Sequence, residues 1–299
     1  MNRQLVTLKL LMVFTLATSA QNQIEVKTLV ADFYGNGAIT IDQEGNVLVN
    51  EYGKPNADIS GNGQNIYKVD PQGKVSILSN KVSGPIGGEI AKDGSYYFNN
   101  SSSMTNSDLM CLKNGELQKI ATVPGFSADV LIDKTEDFLL ITNYTLPHLH
   151  KVTLDGKVTS YITDERLKGC TGIAYGQGNE IFVSNFTTGK IYKIVDPDTL
   201  LEFATIPTVY PGYVVGYIIY FDGTIYATGY GASKIYRINE EGVVSELAGS
   251  GERIHKDGKA KEAGFLVPNG IGIDSIRNRL YISQNGNGKA AGLRYIDLN

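Results

Sequence analysis

Apolar and polar residues alternate in short runs of about four to eight positions along most of the chain, the period of half-buried strands rather than of helices. Six such runs end in a polar or glycine residue: Val47-Leu48-Val49-Asn50, Tyr97-Phe98-Asn99, Leu140-Ile141-Thr142-Asn143, Phe182-Val183-Ser184-Asn185, Tyr226-Ala227-Thr228-Gly229 and Tyr281-Ile282-Ser283-Gln284. They recur about 42 to 55 residues apart, a spacing that marks a repeated supersecondary unit. A polar loop and a further strand follow, with Ile66-Tyr67-Lys68-Val69, Leu149-His150-Lys151-Val152, Ile191-Tyr192-Lys193-Ile194 and Ile235-Tyr236-Arg237-Ile238 nearly interchangeable. Turn residues such as Asp155-Gly156 and Glu241-Gly242 lead into a fourth strand, and Gly-rich runs such as Gly37–Ile41 and Gly270–Ile273 open the units.

Four strands per unit and six units predict an all-β fold, a six-bladed β-propeller of four-stranded antiparallel blades over residues 21 to 299. The last unit ends at Leu293-Arg294-Tyr295-Ile296 with no residues left for a fourth strand. The run Val26-Lys27-Thr28-Leu29-Val30 resembles the fourth strands, so residues 24 to 32 are expected to complete the final blade and close the ring. Composition agrees: 34 Gly, 18 Tyr and no Trp suit tight turns between strands with half-buried aromatic side chains.

The N-terminus reads differently. Arg3 precedes an apolar run from Leu10 to Ala17, and Ala17-Thr18-Ser19-Ala20 offers small residues for cleavage before Gln21. Residues 1 to 20 are expected to be a signal peptide, giving a secreted or periplasmic protein with no membrane span in the mature chain. The net charge is −4, and cleavage would remove Arg3 and Lys9 and no acid. Such an acidic chain excludes nucleic acid as an expected partner. Cys111 and Cys170 lie in apolar runs, where pairing and two buried free thiols both remain open.

The segment Ala248-Gly249-Ser250-Gly251, Asp257-Gly258, Ala263, Phe265 and Pro268-Asn269-Gly270-Ile271 resembles the linker and opening strand of NHL repeats. The other units are similar to the broader superfamily of gluconolactonases, senescence marker proteins, luciferin-regenerating enzyme and strictosidine synthase. In the gluconolactonase-like enzymes this resemblance implies a divalent metal held by acidic and Asn side chains at the starts of the inner strands. The corresponding positions are Asn36, Gly87, Ala128, Thr171, Val215 and Asn269, with no carboxylate among them. A hard cation wants several oxygen ligands with charge, so no cofactor and no metal are expected. A one-residue slip in register would bring Glu89 or Asp129 to the mouth, which keeps a divalent cation such as Ca2+ as the alternative.

Nucleophilic catalysis finds no Gly-x-Ser-x-Gly turn. His150 takes a strand position filled elsewhere by Tyr192 or Tyr236, and His255 lies in a charged linker. Propeller topology places the loops after the second strands on the same face as the starts of the inner strands. Glu51, Tyr52, Asn143, Tyr144, Asn185, Phe186, Tyr230 and Asn269 are therefore the candidate ligand-binding residues, an array of rings and amides around one mouth. The competing reading makes each Asn a turn cap. Tyr210 and Tyr213 add rings to that face, and the loop from Tyr52 to Gln64 is placed to cover it. Asn100-Ser101-Ser102, Asn143-Tyr144-Thr145 and Asn185-Phe186-Thr187 match the glycosylation sequon. The expected function is a monomeric binding scaffold for a small molecule, glycan or protein; the alternative is a metal-dependent lactonase-type hydrolase.

Overall fold

The computed structural model describes residues 24–53, 64–286 and 290–298. Residues 1 to 20, expected to be a signal peptide, and most of the loop between Tyr52 and Gln64 lie outside the described residues. Among the described residues no helix is long and apolar enough to cross a membrane. A 3-10 turn stands at Glu165–Leu167.

Six antiparallel sheets stand around a central channel. Blade I is Ile39–Ile41, Val47–Asn50, Gln64–Val69 and Val75–Val82, from channel to rim. Blade II is Gly88–Ile90, Tyr96–Asn100, Asn106–Lys113 and Glu116–Pro124; blade III is Ser127–Ile132, Phe138–Asn143, His148–Thr153 and Val158–Thr163. Blade IV is Cys170–Tyr175, Ile181–Asn185, Lys190–Asp196 and Thr199–Thr205; blade V is Ile218–Phe221, Thr224–Gly229, Lys234–Ile238 and Val244–Ala248. Blade VI is Pro268–Asp274, Arg279–Gln284, Leu293–Asp297 and the N-terminal strand Glu25–Val30. The closure expected from the sequence is present, with Val26 opposite Ile296 and Thr28 opposite Arg294. One detail differs: Gly258–Lys259 adds a fifth strand outside Glu25–Val30, so the N-terminal strand is not the outermost. The linker supplies this cover, and it pairs an edge that would otherwise be open.

Alternating side chains give each sheet two apolar faces, and each face packs on the next blade. Leu48, Ile66 and Val82 of blade I meet Tyr96, Phe98 and Leu112 of blade II. Val47, Val49 and Val69 turn the other way to meet Tyr281 and Leu293 of blade VI. Comparable apolar clusters fill the remaining four interfaces.

A second device joins the blades near the channel. The residue before the polar end of the second strand is Thr142, Ser184, Thr228 or Ser283 in blades III to VI. Each hydroxyl accepts from an N–H at or just before the start of its own blade's inner strand and donates to a carbonyl at the same place in the next blade. Asp129 N–H reaches Thr142 Oγ1 at 2.9 Å, and that hydroxyl donates to Thr171 O at 2.5 Å. Ser184 donates to Gly216 O at 2.9 Å, Thr228 to Asn269 O at 2.6 Å and Ser283 to Gly37 O at 2.7 Å. Blade I has Val49 at this place and instead uses Asn50 Nδ2, which donates to Gly87 O at 3.2 Å. Blade II has Phe98, and there the backbones close up: a Cβ at Gly87 would run into the Ala128 carbonyl.

The cysteines lie in blades II and IV, and both are buried free thiols. Burial pushes the Cys170 thiol far above its ordinary range, where it is inert.

Candidate functional site

The rings expected at the mouth converge. Tyr52 of blade I meets Phe126 at 6.2 Å between centroids, and Phe126 meets Tyr144 at 6.1 Å. Tyr144 meets Phe186 at 6.2 Å; Phe186 then meets Tyr230 at 5.1 Å and Tyr213 at 5.7 Å. All of these pairs are edge to face, the arrangement the ring quadrupole favours. Tyr213 and Tyr230 close the series at 6.4 Å with an interplanar angle of 26°. The result is an arc of aromatic rings from blade I through blades III and IV to blade V. Blades II and VI, with Asn99-Asn100 and Gln284-Asn285 at the matching positions, contribute no ring.

Tyr52, Phe126, Tyr144, Phe186 and Tyr230 are half-buried, while Tyr213 is 58% exposed and Tyr210 is 52% exposed. Burial raises the hydroxyl pKa of Tyr52 and Tyr230, which keeps both phenols neutral. Phe126 was not among the sequence candidates. A signal for it existed: Pro124-Gly125-Phe126 and Pro211-Gly212-Tyr213 are the same tripeptide pattern just before the inner strands of blades III and V. Gly125 and Gly212 both have positive φ, at 75° and 83°, a conformation that glycine adopts without strain.

The amides are engaged in holding turns. Asn143 Nδ2 donates to Pro124 O at 2.6 Å, while its Oδ1 accepts from the N–H of Thr145 at 3.0 Å and of Leu146 at 2.8 Å. Asn185 Nδ2 donates to Arg166 O and Lys168 O, and its Oδ1 accepts from Thr187 and Thr188. Asn269 Nδ2 donates to Asn36 O at 2.6 Å across the junction of blades VI and I. Asn36 in turn grips the backbone of Tyr52, accepting from its N–H at 2.6 Å. Glu51 is buried behind Tyr52, where its Oε2 accepts from Asn65 Nδ2 and from the Tyr67 hydroxyl at 2.8 Å. These four candidates thus position the arc from behind.

His150 is buried beside Asn143, 3.3 Å from its Nδ2; burial, and then the charge of His148, depress its pKa to about 4. It packs as a neutral ring. His255 bridges the linker to Thr28 Oγ1 and Ala291 O, each at 2.8 Å, on the rim of blade VI.

Below the mouth the inner strands enclose a cavity of about 310 Å³. Its lining is largely apolar, including Ile39, Val130, Ile173, Ile218 and Ile271, with Glu89 and Asp129 as the acidic members. Both carboxylates cap inner-strand N–H groups of the following blade: Glu89 accepts from Ile132, and Asp129 accepts from Ile173 at 3.3 Å. Burial raises the Glu89 carboxyl to about 7 and pushes Asp129 well above the usual carboxylate range, with the Glu89 charge adding to the latter. Among the described residues, no three His, Cys, Asp or Glu side chains come together to hold a metal ion.

Comparison with known proteins places this architecture. No family model and no curated protein matches the sequence. Solved structures do: an auxiliary nutrient binding protein from Bacteroides ovatus has TM-score 0.72 and 15% identity, covering 91% of this chain and 76% of that one. A gluconolactonase from Xanthomonas campestris has TM-score 0.65 and 12% identity, covering 95% and 92%. Virginiamycin B lyase from Staphylococcus aureus has TM-score 0.61 and 16% identity, covering 93% and 100%. The chain has the six-bladed propeller fold of the gluconolactonase-like proteins; at these identities the likeness is one of fold.

Proposed function

We propose that this protein is an exported ligand-binding propeller whose contact surface is the aromatic arc. The observation that carries this reading is the unbroken series of ring contacts from Tyr52 to Tyr230 across four blades. Half-buried rings held rigidly by their own turns present apolar area at little cost in side-chain entropy, the makeup of a small-molecule platform. The nutrient-binding neighbour agrees with such a role. Export is supported by the order of charged, apolar and small residues in positions 1 to 20.

The test is titration of a neutral bicyclic aromatic, 1-naphthaleneacetamide, into the protein and its Phe186→Ala and Tyr144→Ala variants. Each variant should bind roughly tenfold more weakly, about 1.4 kcal/mol. Binding unchanged in both, or no binding to any form, would remove the arc as the contact surface. A lactonase-type hydrolase is the second reading, and what favours it is the Glu89–Asp129 pair facing one cavity. Metal analysis of the purified protein together with a lactone-hydrolysis assay separates the two.

A further inference from the structure

The blade V end of the arc differs from the rest in carrying a cation. Arg253, in the linker to blade VI, places its guanidinium 4.4 Å from the centroid of the Tyr210 ring. One of its nitrogens, Nη2, makes a long bond of 3.4 Å to Gly231 O. Among the described residues no carboxylate lies within ion-pair distance of Arg253: Lys234 takes Glu246, and Arg294 takes Asp257. The side chain is exposed, and most of its donors point to no protein acceptor. In a chain of net charge −4, an unpaired guanidinium fixed against an aromatic platform is a local reversal of sign.

The neighbouring rings lie at the same end of the arc. Gly231 lies under the turn Tyr210–Tyr213, where a Cβ would strike the Tyr213 carbonyl, so this turn is seated tightly on blade V. Tyr213 N–H donates to Tyr210 O at 3.1 Å, which fixes the two exposed rings relative to each other. Arg253 is near enough to Tyr230 to oppose the upward pull of burial on that phenol. Tyr213 stacks beside Tyr230 at 6.4 Å and Tyr210 carries the Arg253 guanidinium, so rings and forked donor lie together at the blade V end of the arc.

We infer that the ligand of this mouth is a ring-bearing carboxylate, its ring laid on Tyr213, Phe186 and Tyr230 and its carboxylate bonded by Arg253. The inference rests on the binding role proposed above. The chemistry follows from the parts: a guanidinium matches a carboxylate in two parallel hydrogen bonds, and stacking on Tyr210 both orients its plane and strips water from one face. A neutral ring would use the arc alone and leave that donor set in water.

The experiment compares 1-naphthaleneacetate with 1-naphthaleneacetamide, which have the same rings and differ in charge. Titrations use the full chain, Arg253→Gln, Arg253→Lys and Tyr213→Ala. The carboxylate should bind wild type about tenfold more tightly than the amide, and Arg253→Gln should erase that preference. Arg253→Lys should keep part of the preference, since it retains charge and loses the fork. Tyr213→Ala should weaken both probes. Equal binding of the two probes to wild type, with the amide still dependent on the rings, would overturn this inference and leave the aromatic platform standing. Failure of both probes to bind would overturn both.

Discussion

Glu89 should make the protein less stable as the pH rises from about 4.5 to about 7. Its carboxyl faces the channel among apolar side chains, and burial raises its pKa from 4.5 to about 7. In that interval the folded chain holds a proton that the unfolded chain has released. Native protein therefore binds more protons, and stability falls with rising pH through the window. It levels off above the folded value. At about 1.4 kcal/mol per tenfold, the full displacement corresponds to about 3 kcal/mol. The residue is half-buried and lines the cavity, so about 1 to 2 kcal/mol is the expected size. Glu89→Gln removes the charge and retains an oxygen to accept the Ile132 N–H. Urea denaturation followed by circular dichroism at pH 4.5, 6 and 8 measures the effect. The variant should match wild type within about 0.5 kcal/mol at the lowest pH and exceed it by about 1 to 2 kcal/mol at the highest. A wild-type-to-variant difference that is constant over this range would refute the argument, as would one that grows toward acid.

Two further outcomes follow from the hydrogen-bond geometry. Asn185→Ala removes both sides of a fully used, buried amide and should cost about 2 to 4 kcal/mol in thermal or urea unfolding. Asp257→Ala strips the buried Arg294 guanidinium of its carboxylate and the strand Glu25–Val30 of its bond to Thr28 N–H, so it should cost about 2 to 4 kcal/mol; adding Arg294→Met should recover part of the loss, and a double variant no better than the single one would count against the ion pair as the clasp.

The number of blades and their closure were legible because they depend on period and on counting. A period-two pattern recurring six times has few other solutions, and a last unit lacking one strand requires a donor, which Val26 to Val30 supply. The fifth strand at Gly258–Lys259 was not legible: two residues carry no alternation, and their pairing is set by Asp257 bonding to Thr28 at the rim. The hydroxyl links were visible as residues and invisible as a device. Thr142, Ser184, Thr228 and Ser283 stand in every quoted strand run of blades III to VI, yet nothing local says that each reaches a carbonyl of the next blade. Likewise Glu89 and Asp129 came into view only as neighbours of the metal-type positions. Their role as caps for inner-strand N–H groups depends on the open edge that a channel leaves in every inner strand.

At the mouth, the turn chemistry of the amides is what presents the rings. In Asn185-Phe186-Thr187 the Thr hydroxyl donates to Asn185 Oδ1 at 2.8 Å, and the ring between them is the one that meets Tyr144, Tyr213 and Tyr230. Asn143-Tyr144-Thr145 repeats the arrangement, and Thr145 Oγ1 also accepts the Phe126 N–H at 2.9 Å, so one turn fixes two rings of the arc. An Asn and a Thr two residues apart thus clamp the turn at both ends and leave the middle side chain a single direction, toward the axis. The same spacing reads as a glycosylation sequon, but Asn143 and Asn185 are 0% and 2% exposed and their amide nitrogens are already donating. Here the pattern serves presentation: removing the amide should loosen the turn, while removing the ring should leave the turn intact and take away the contact.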